Sequence, residues 1–235
     1  MILSFLQAET ELVQNAVAPV QEELSFSLID MAAKGGWLMI VLLILSIVAI
    51  YIFAEKLYAI RKASKVDRNF IKDVNDYLLS GKVRSAKMLC KRSDSAVARM
   101  IEKGVERIDK PLEDIRAAVE NVANLEVAKL EKSLPVLATI SGGAPMIGFL
   151  GTVMGMVQAF FNMAQAGNNI DITLLSGGIY TAMVTTVGGL IVGILAYFGY
   201  NYLTAEVSGV VSQMEATTIE FLDAVQAKKD KPEEE

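Results

Sequence analysis

LPVLATISGGAPMIGFLGTVMGMVQAFFNMAQAGNNIDITLLSGGIYTAMVTTVGGLIVGILAYFGYNYLTA, residues 134–205, carries one charged side chain, Asp171. A run this long and this free of charge is soluble only in lipid. The polar stretch Ala166-Gly167-Asn168-Asn169 and Asp171 cut it into two long apolar helices. A second charge-free stretch, Gly35 to Ala54, has the length of one bilayer crossing. The chain reads as all-α, a polytopic membrane protein with three transmembrane helices and a helical domain between the first two.

Orientation follows from lysine and arginine. Every one except Lys34 lies between Glu55 and Ser133 or after Ala227, as Lys228, Lys229 and Lys231. The positive-inside rule makes both regions cytoplasmic, so the expected topology is N-out and C-in. The expected organisation is an outer segment 1–34, a first span 35–55 and a cytoplasmic helical domain 56–133. A second span 134–165, an outer link 166–173, a third span 174–204 and a cytoplasmic tail 205–235 follow. The apolar start Ile2 to Ala8 lacks the basic region of a signal peptide and reads as a mature start or an interfacial anchor. Val20, Leu24, Leu28 and Met31 recur at helical spacing among acidic residues. They fit an amphipathic helix on the outer face, or a partly ordered tail.

Composition excludes several chemistries. Histidine is absent and Cys90 is the single cysteine, which removes intrachain disulfides, histidine catalysis and the usual structural zinc sites. Cys90 is expected to pack as a small apolar side chain. No phosphate-binding loop occurs, and nothing in the net charge of -5 points to nucleic acid. Neither a catalytic residue, a metal site nor a cofactor is expected.

Between the first two spans, Val66, Phe70, Val74 and Tyr77 mark an apolar stripe stopped by Ser80-Gly81. A short helix through Val83, Ala86, Leu89 and Cys90 leads to the N-cap cluster Ser93-Asp94-Ser95. Val97, Ile101, Val105 and Ile108 mark the next helix. After Asp109-Lys110-Pro111 no breaker intervenes before Pro135. The second span is therefore expected to be the upper part of one long helix that begins well inside the cytoplasm.

The long apolar helices are rich in glycine. Gly148, Gly151 and Gly155 in the second, and Gly188 and Gly189 in the third, allow close helix approach in lipid. Either a hairpin within one subunit or a ring of neighbouring hairpins satisfies that reading. Thr152 lies mid-span, and Thr181, Thr185 and Thr186 cluster in the third span. A lone membrane threonine commonly bonds the carbonyl four residues earlier. The cluster with Thr152 instead suggests a weakly polar lining that can order water or bond a carboxyl group. No Asp, Glu, Lys or His lies at mid-membrane depth, so a titrating group would have to come from another chain.

These residues resemble the ExbB/TolQ/MotA family of ion-driven motor subunits, and ExbB and TolQ in particular. The resemblance is carried by Leu134-Pro135-Val136-Leu137-Ala138-Thr139-Ile140 and Gly148-Phe149-Leu150-Gly151-Thr152-Val153-Met154-Gly155-Met156. It is carried also by Gly178-Ile179-Tyr180-Thr181-Ala182-Met183-Val184-Thr185-Thr186-Val187-Gly188-Gly189-Leu190. It implies a bacterial inner-membrane homopentamer whose second and third spans line a pore. The N-terminus would be periplasmic, and a single-span ExbD-like or TolR-like dimer would supply the aspartate. The family's polar lining maps onto Thr152 and Thr186. Many members carry glutamate where this chain has Thr181, so proton uptake would fall to the partner alone.

The implied function is that of a proton-motive-force-driven stator energising TonB-dependent outer-membrane transport. A TolQ-type subunit of the Tol-Pal envelope system is the alternative, with membrane lipid as a further partner. A passive membrane scaffold would use the same glycines for packing and predicts no aspartate-bearing partner. An enzyme lacks any nucleophile–base pair or acidic dyad to stand on.

Overall fold

Gly35-Gly36 precede the first helix, and Gly36 adopts φ 71°, a left-handed conformation that suits glycine. The computed structural model describes residues 35–65, 69–166 and 172–229. The readings of an amphipathic segment before Lys34, of the link around Asp171 and of the last six residues lie outside them, as does Val66. Among the described residues there are seven helices: α1 Trp37–Ala63, α2 Phe70–Leu79, α3 Val83–Arg92, α4 Ala96–Val105, α5 Leu112–Glu131, α6 Leu134–Ala166 and α7 Ile172–Lys229. Among the described residues there is no strand, and three stretches are long and apolar enough to span a membrane. The protein is a multi-pass, all-α membrane protein.

Side-chain exposure is inverted relative to a soluble fold over α1, α6 and the first half of α7. Ile40, Leu43, Ile47 and Ile50 on α1 point outward, whereas Leu38, Leu42, Ala49 and Ile52 face α6 and α7. An outward apolar face is stable only against lipid or another apolar helix. The shorter helices follow the soluble pattern. Phe70, Val74 and Leu78 of α2 are buried, and the stripe runs through Leu78; Tyr77, assigned to it above, is exposed. The four-residue step explains the correction, since 70, 74 and 78 lie one above another and 77 falls beside them. Gly81 (φ 73°) ends the turn after α2. Ser95 caps α4 by accepting the Ala98 N–H at 3.1 Å. Cys90 is buried, and burial pushes its thiol up to about 12, in keeping with an inert packing role.

At the base of the second span the expected long helix is found. Leu112–Gln165 runs as one membrane-length helix that begins well ahead of the charge-free run, with a local turn at Lys132 and Ser133 that divides it into α5 and α6. Pro135 supplies the reason: it has no N–H for the Glu131 carbonyl, and its ring crowds that carbonyl. Lys56 of α1 seals the break by donating from Nζ to the Lys129 carbonyl at 3.1 Å. Pro145 lies inside α6 without ending it. Gly193 of α7 makes room for it: a Cβ there would lie 2.5 Å from Pro145 Cγ and 3.0 Å from the Ser141 carbonyl oxygen.

α7 is the spine of the fold. Its first half pairs antiparallel with α6 and parallel with α1, while its second half packs on α2, α4 and α5. Buried Phe221 sits against Gly104 of α4, where a Cβ would come within 2.5 Å of the ring.

Candidate functional site: the seam between α6 and α7

Residues without bulk set the α6–α7 distance. A Cβ on Gly148 would lie 3.1 Å from the Thr185 carbonyl oxygen and 3.2 Å from Gly189 Cα. One on Gly155 would lie 2.7 Å from Ala182 Cβ, and one on Gly178 2.7 Å from Ala159 Cβ. Against backbone atoms Gly189 is tightest, with 2.6 Å to the Ala144 carbonyl oxygen. The seam thus runs Ala144, Gly148, Gly151, Gly155, Ala159 on α6 against Gly193, Gly189, Thr185, Ala182, Gly178 on α7. Steps of three and four keep each set on one face. Gly188 belongs elsewhere: its neighbours are Met39 and Leu42 of α1. The alanines were legible as small residues at the same spacing, but a reading that looks for glycine passes over them. Gly142, Gly143 and Gly177 meet nothing within 4 Å and lie off the seam.

The threonines separate into two kinds. Thr185 is 2 % exposed, and its hydroxyl lies 2.9 Å from the Thr181 carbonyl oxygen and 3.1 Å from that of Gly35. It ties the start of α1 to α7 and is sealed inside the chain. Thr181 is half-buried and provides that carbonyl one turn above. Thr152 and Thr186 are also half-buried, and the hydroxyl of each bonds a carbonyl of α6. Thr186 donates across the seam to the Gly148 carbonyl at 2.9 Å. That carbonyl also takes the Thr152 N–H in the helical ladder. Thr152 Oγ1 donates to the Phe149 carbonyl at 2.6 Å.

This geometry decides what the pair can do. Both hydroxyl protons are committed to carbonyls, which leaves the oxygen lone pairs as acceptors. Such a pair suits a protonated carboxylic acid, which donates, and offers nothing to a carboxylate, which only accepts. Among the described residues of the spans, tyrosine is the one ionisable side chain above Glu55, Lys132 and Glu206. No group of three or more metal-ligating side chains occurs among the described residues.

A family model described as the MotA/TolQ/ExbB proton channel family matches residues 92–216, more than half of the chain. The chain belongs to this family. The match runs from the end of α3 through α6 and most of α7, and so includes the whole described seam. An ExbB homolog described as a biopolymer transport protein, from Methanothermobacter thermautotrophicus, is 26% identical over 190 residues, 80% of this chain and 67% of its own length. An ExbB-like protein of Synechocystis is 28% identical over 180 residues, 76% of this chain and 71% of its own. The Tol-Pal system protein TolQ of Haemophilus influenzae is 33% identical over 93 residues, 40% of each chain. Membership places the chain in a channel-type rather than an enzymatic family.

Away from the seam, a chain of charges joins α1, α4 and α5. Lys62 pairs with Asp94 at 2.6 Å, Asp94 with Arg99 at 2.9 Å, Arg99 with Glu126 at 2.6 Å and Glu126 with Lys129 at 2.6 Å. Burial would raise the Glu126 carboxyl, but the bonds from Arg99 and Lys129 outweigh it and hold the group below the usual carboxylate range. The sequence shows these residues as an ordinary solvated face, because no local spacing links Asp94 to Lys62 or Arg99 to Glu126.

Proposed function

We propose that the chain is the pore-forming stator subunit of a proton-motive-force-driven inner-membrane motor of the ExbB–ExbD type. In this reading it energises TonB-dependent outer-membrane transport. The observation that carries it is the half-buried hydroxyls of Thr152 and Thr186, bonded to the adjacent Phe149 and Gly148 carbonyls of α6: two acceptors for a protonated acid in a region with no acid of its own. The acid comes from an ExbD-like single-span dimer seated within a homopentamer of this chain. A neutral carboxyl passes the threonine level accepted by Thr152 and Thr186, and it releases its proton on the other side. Each charge moved delivers roughly 2.3 kcal/mol per 100 mV of membrane potential. Lysine and arginine distribution supports a periplasmic N-terminus and a cytoplasmic C-terminus.

A TolQ-type role is the second reading, favoured by the 33% identity to the Haemophilus TolQ segment. Native mass spectrometry of the complex drawn intact from its own membrane separates these readings by the partner it carries. Thr152→Val and Thr186→Val are expected to assemble normally and lose energised transport, with Thr152→Ser retaining it. Full transport in both valine variants would refute the role given to the pair. A homo-oligomer without any aspartate-bearing single-span partner would refute the motor and favour a scaffold.

A further inference from the structure

Where α1 leaves the apolar layer it becomes abruptly basic and aromatic. Glu55 ends the charge-free stretch, and Tyr58, Arg61, Lys62 and Lys65 follow within three turns. With Asp94 they line an open hollow of about 460 Å³. The Lys62–Asp94 bond pins the end of α1 to the loop before α4, so the hollow is shaped by an ion pair rather than by loose side chains. Tyr58 is 74% exposed. Arg61 and Lys65 are exposed and make no ion pair with any described residue.

Charge in the hollow is not balanced. Among its lining residues Arg61, Lys62 and Lys65 face Asp94 alone, three cations against one carboxylate. At a rise of about 1.5 Å per residue, Tyr58 and Arg61 stand about 5 to 9 Å beyond Glu55. That is the depth of a headgroup layer, roughly 5 to 8 Å on each side of the hydrocarbon core.

We propose that Tyr58, Arg61, Lys62 and Lys65 bind the phosphate headgroup of an anionic glycerophospholipid in the leaflet at this end of α1. Arginine presents a planar fork suited to phosphate oxygens, and lysine a mobile point charge. Tyrosine belongs at the interface, with its ring in the apolar layer and its hydroxyl in the polar one. The surplus of positive charge repels the ammonium of a zwitterionic headgroup and sets the preference. The site stands apart from the seam, and its test does not depend on the motor reading.

The test is native mass spectrometry of the full chain in detergent, titrated with dioleoyl phosphatidylglycerol or dioleoyl phosphatidylcholine. The parent chain should hold one phosphatidylglycerol per protomer more tightly than phosphatidylcholine. Arg61→Gln with Lys65→Gln should weaken phosphatidylglycerol about thirtyfold, which is about 2 kcal/mol at 1.4 kcal/mol per tenfold for two basic residues at an anionic surface. Arg61→Lys with Lys65→Arg should keep close to the parent affinity. Arg107→Gln with Lys110→Gln, at the far end of α4, should leave it unchanged. Equal binding of the two lipids, or undiminished binding by the glutamine variant, would overturn the proposal. So would one-for-one displacement of the lipid by millimolar inorganic phosphate, which would mark a free-phosphate site.

Discussion

Replacing Gly189 with alanine tests the seam with a single methyl group. Its Cβ would lie 2.6 Å from the Ala144 carbonyl oxygen and 2.9 Å from Gly148 Cα, both backbone atoms that cannot rotate away. Reaching the 3.4 Å of ordinary van der Waals contact requires the helices to part by roughly 0.8 Å at that point. A gap of this size forfeits about a quarter to a half of the dispersion energy at each contact it opens. It also stretches the 2.9 Å bond from Thr186 to the Gly148 carbonyl, of a kind that averages about 0.6 kcal/mol in membranes. Overpacking of this kind costs about 1 to 3 kcal/mol, against a gain of up to about 1 kcal/mol in helix propensity. With the full propensity gain, the net effect is a loss of up to about 2 kcal/mol. Gly142→Ala is the internal control, since nothing lies within 4 Å of its added Cβ and the propensity gain stands alone. Thermal unfolding of both variants in the same detergent should place Gly189→Ala below the parent and Gly142→Ala at or above it. Equal midpoints for the two alanine variants would refute a seam held by close backbone approach.

Two further outcomes are expected outside the lipid region. Bonds from Lys87 and Lys103 hold the Glu106 carboxyl at about 2, from an ordinary 4.5, and the Lys62 bond chiefly holds Asp94 down. A pKa lowered by folding adds stability that is present above the unfolded value and lost as pH falls through the folded one. The unfolding midpoint followed by circular dichroism should therefore fall as pH drops from about 4.5 towards 2; Glu106→Gln should flatten that fall, and an unchanged slope would count against the assignment. Lys56→Met leaves the Lys129 carbonyl unbonded at the α5–α6 break and should cost about 1 to 3 kcal/mol in a denaturant titration. A neutral result would mean that water or another donor replaces Lys56.

How much of this was legible beforehand differs from element to element. Ser95 could be named as part of a capping cluster because a cap acts over three residues. The stop at Ser80-Gly81 was readable for the same local reason. Leu78 was passed over for Tyr77 because both fit a loose helical stripe and only packing on α7 chooses between them. The long helix Leu112–Gln165 was legible from the lack of a breaker before Pro135, whereas the local turn at Lys132-Ser133 was not. A proline near a helix start is compatible with either a continuous or an interrupted helix, and the Lys56 bond that stabilises the interruption comes from 73 residues away. Thr185 and Thr186 are adjacent in sequence with identical chemistry, yet one is sealed against α1 and the other reaches Gly148.

Charge depletion over residues 134–205 and 35–54 by itself determined a three-span, all-α membrane protein, because uncharged runs of that length have no stable place in water. Sequence also located the small residues and hydroxyls from which a seam could be built. Which of them touch was decided by tertiary structure. Helix register is set by the summed fit of many small contacts between α1, α6 and α7, and no local spacing encodes it. That register places Gly148 under Thr186, turns Gly188 to Met39, and leaves Gly142 facing open space.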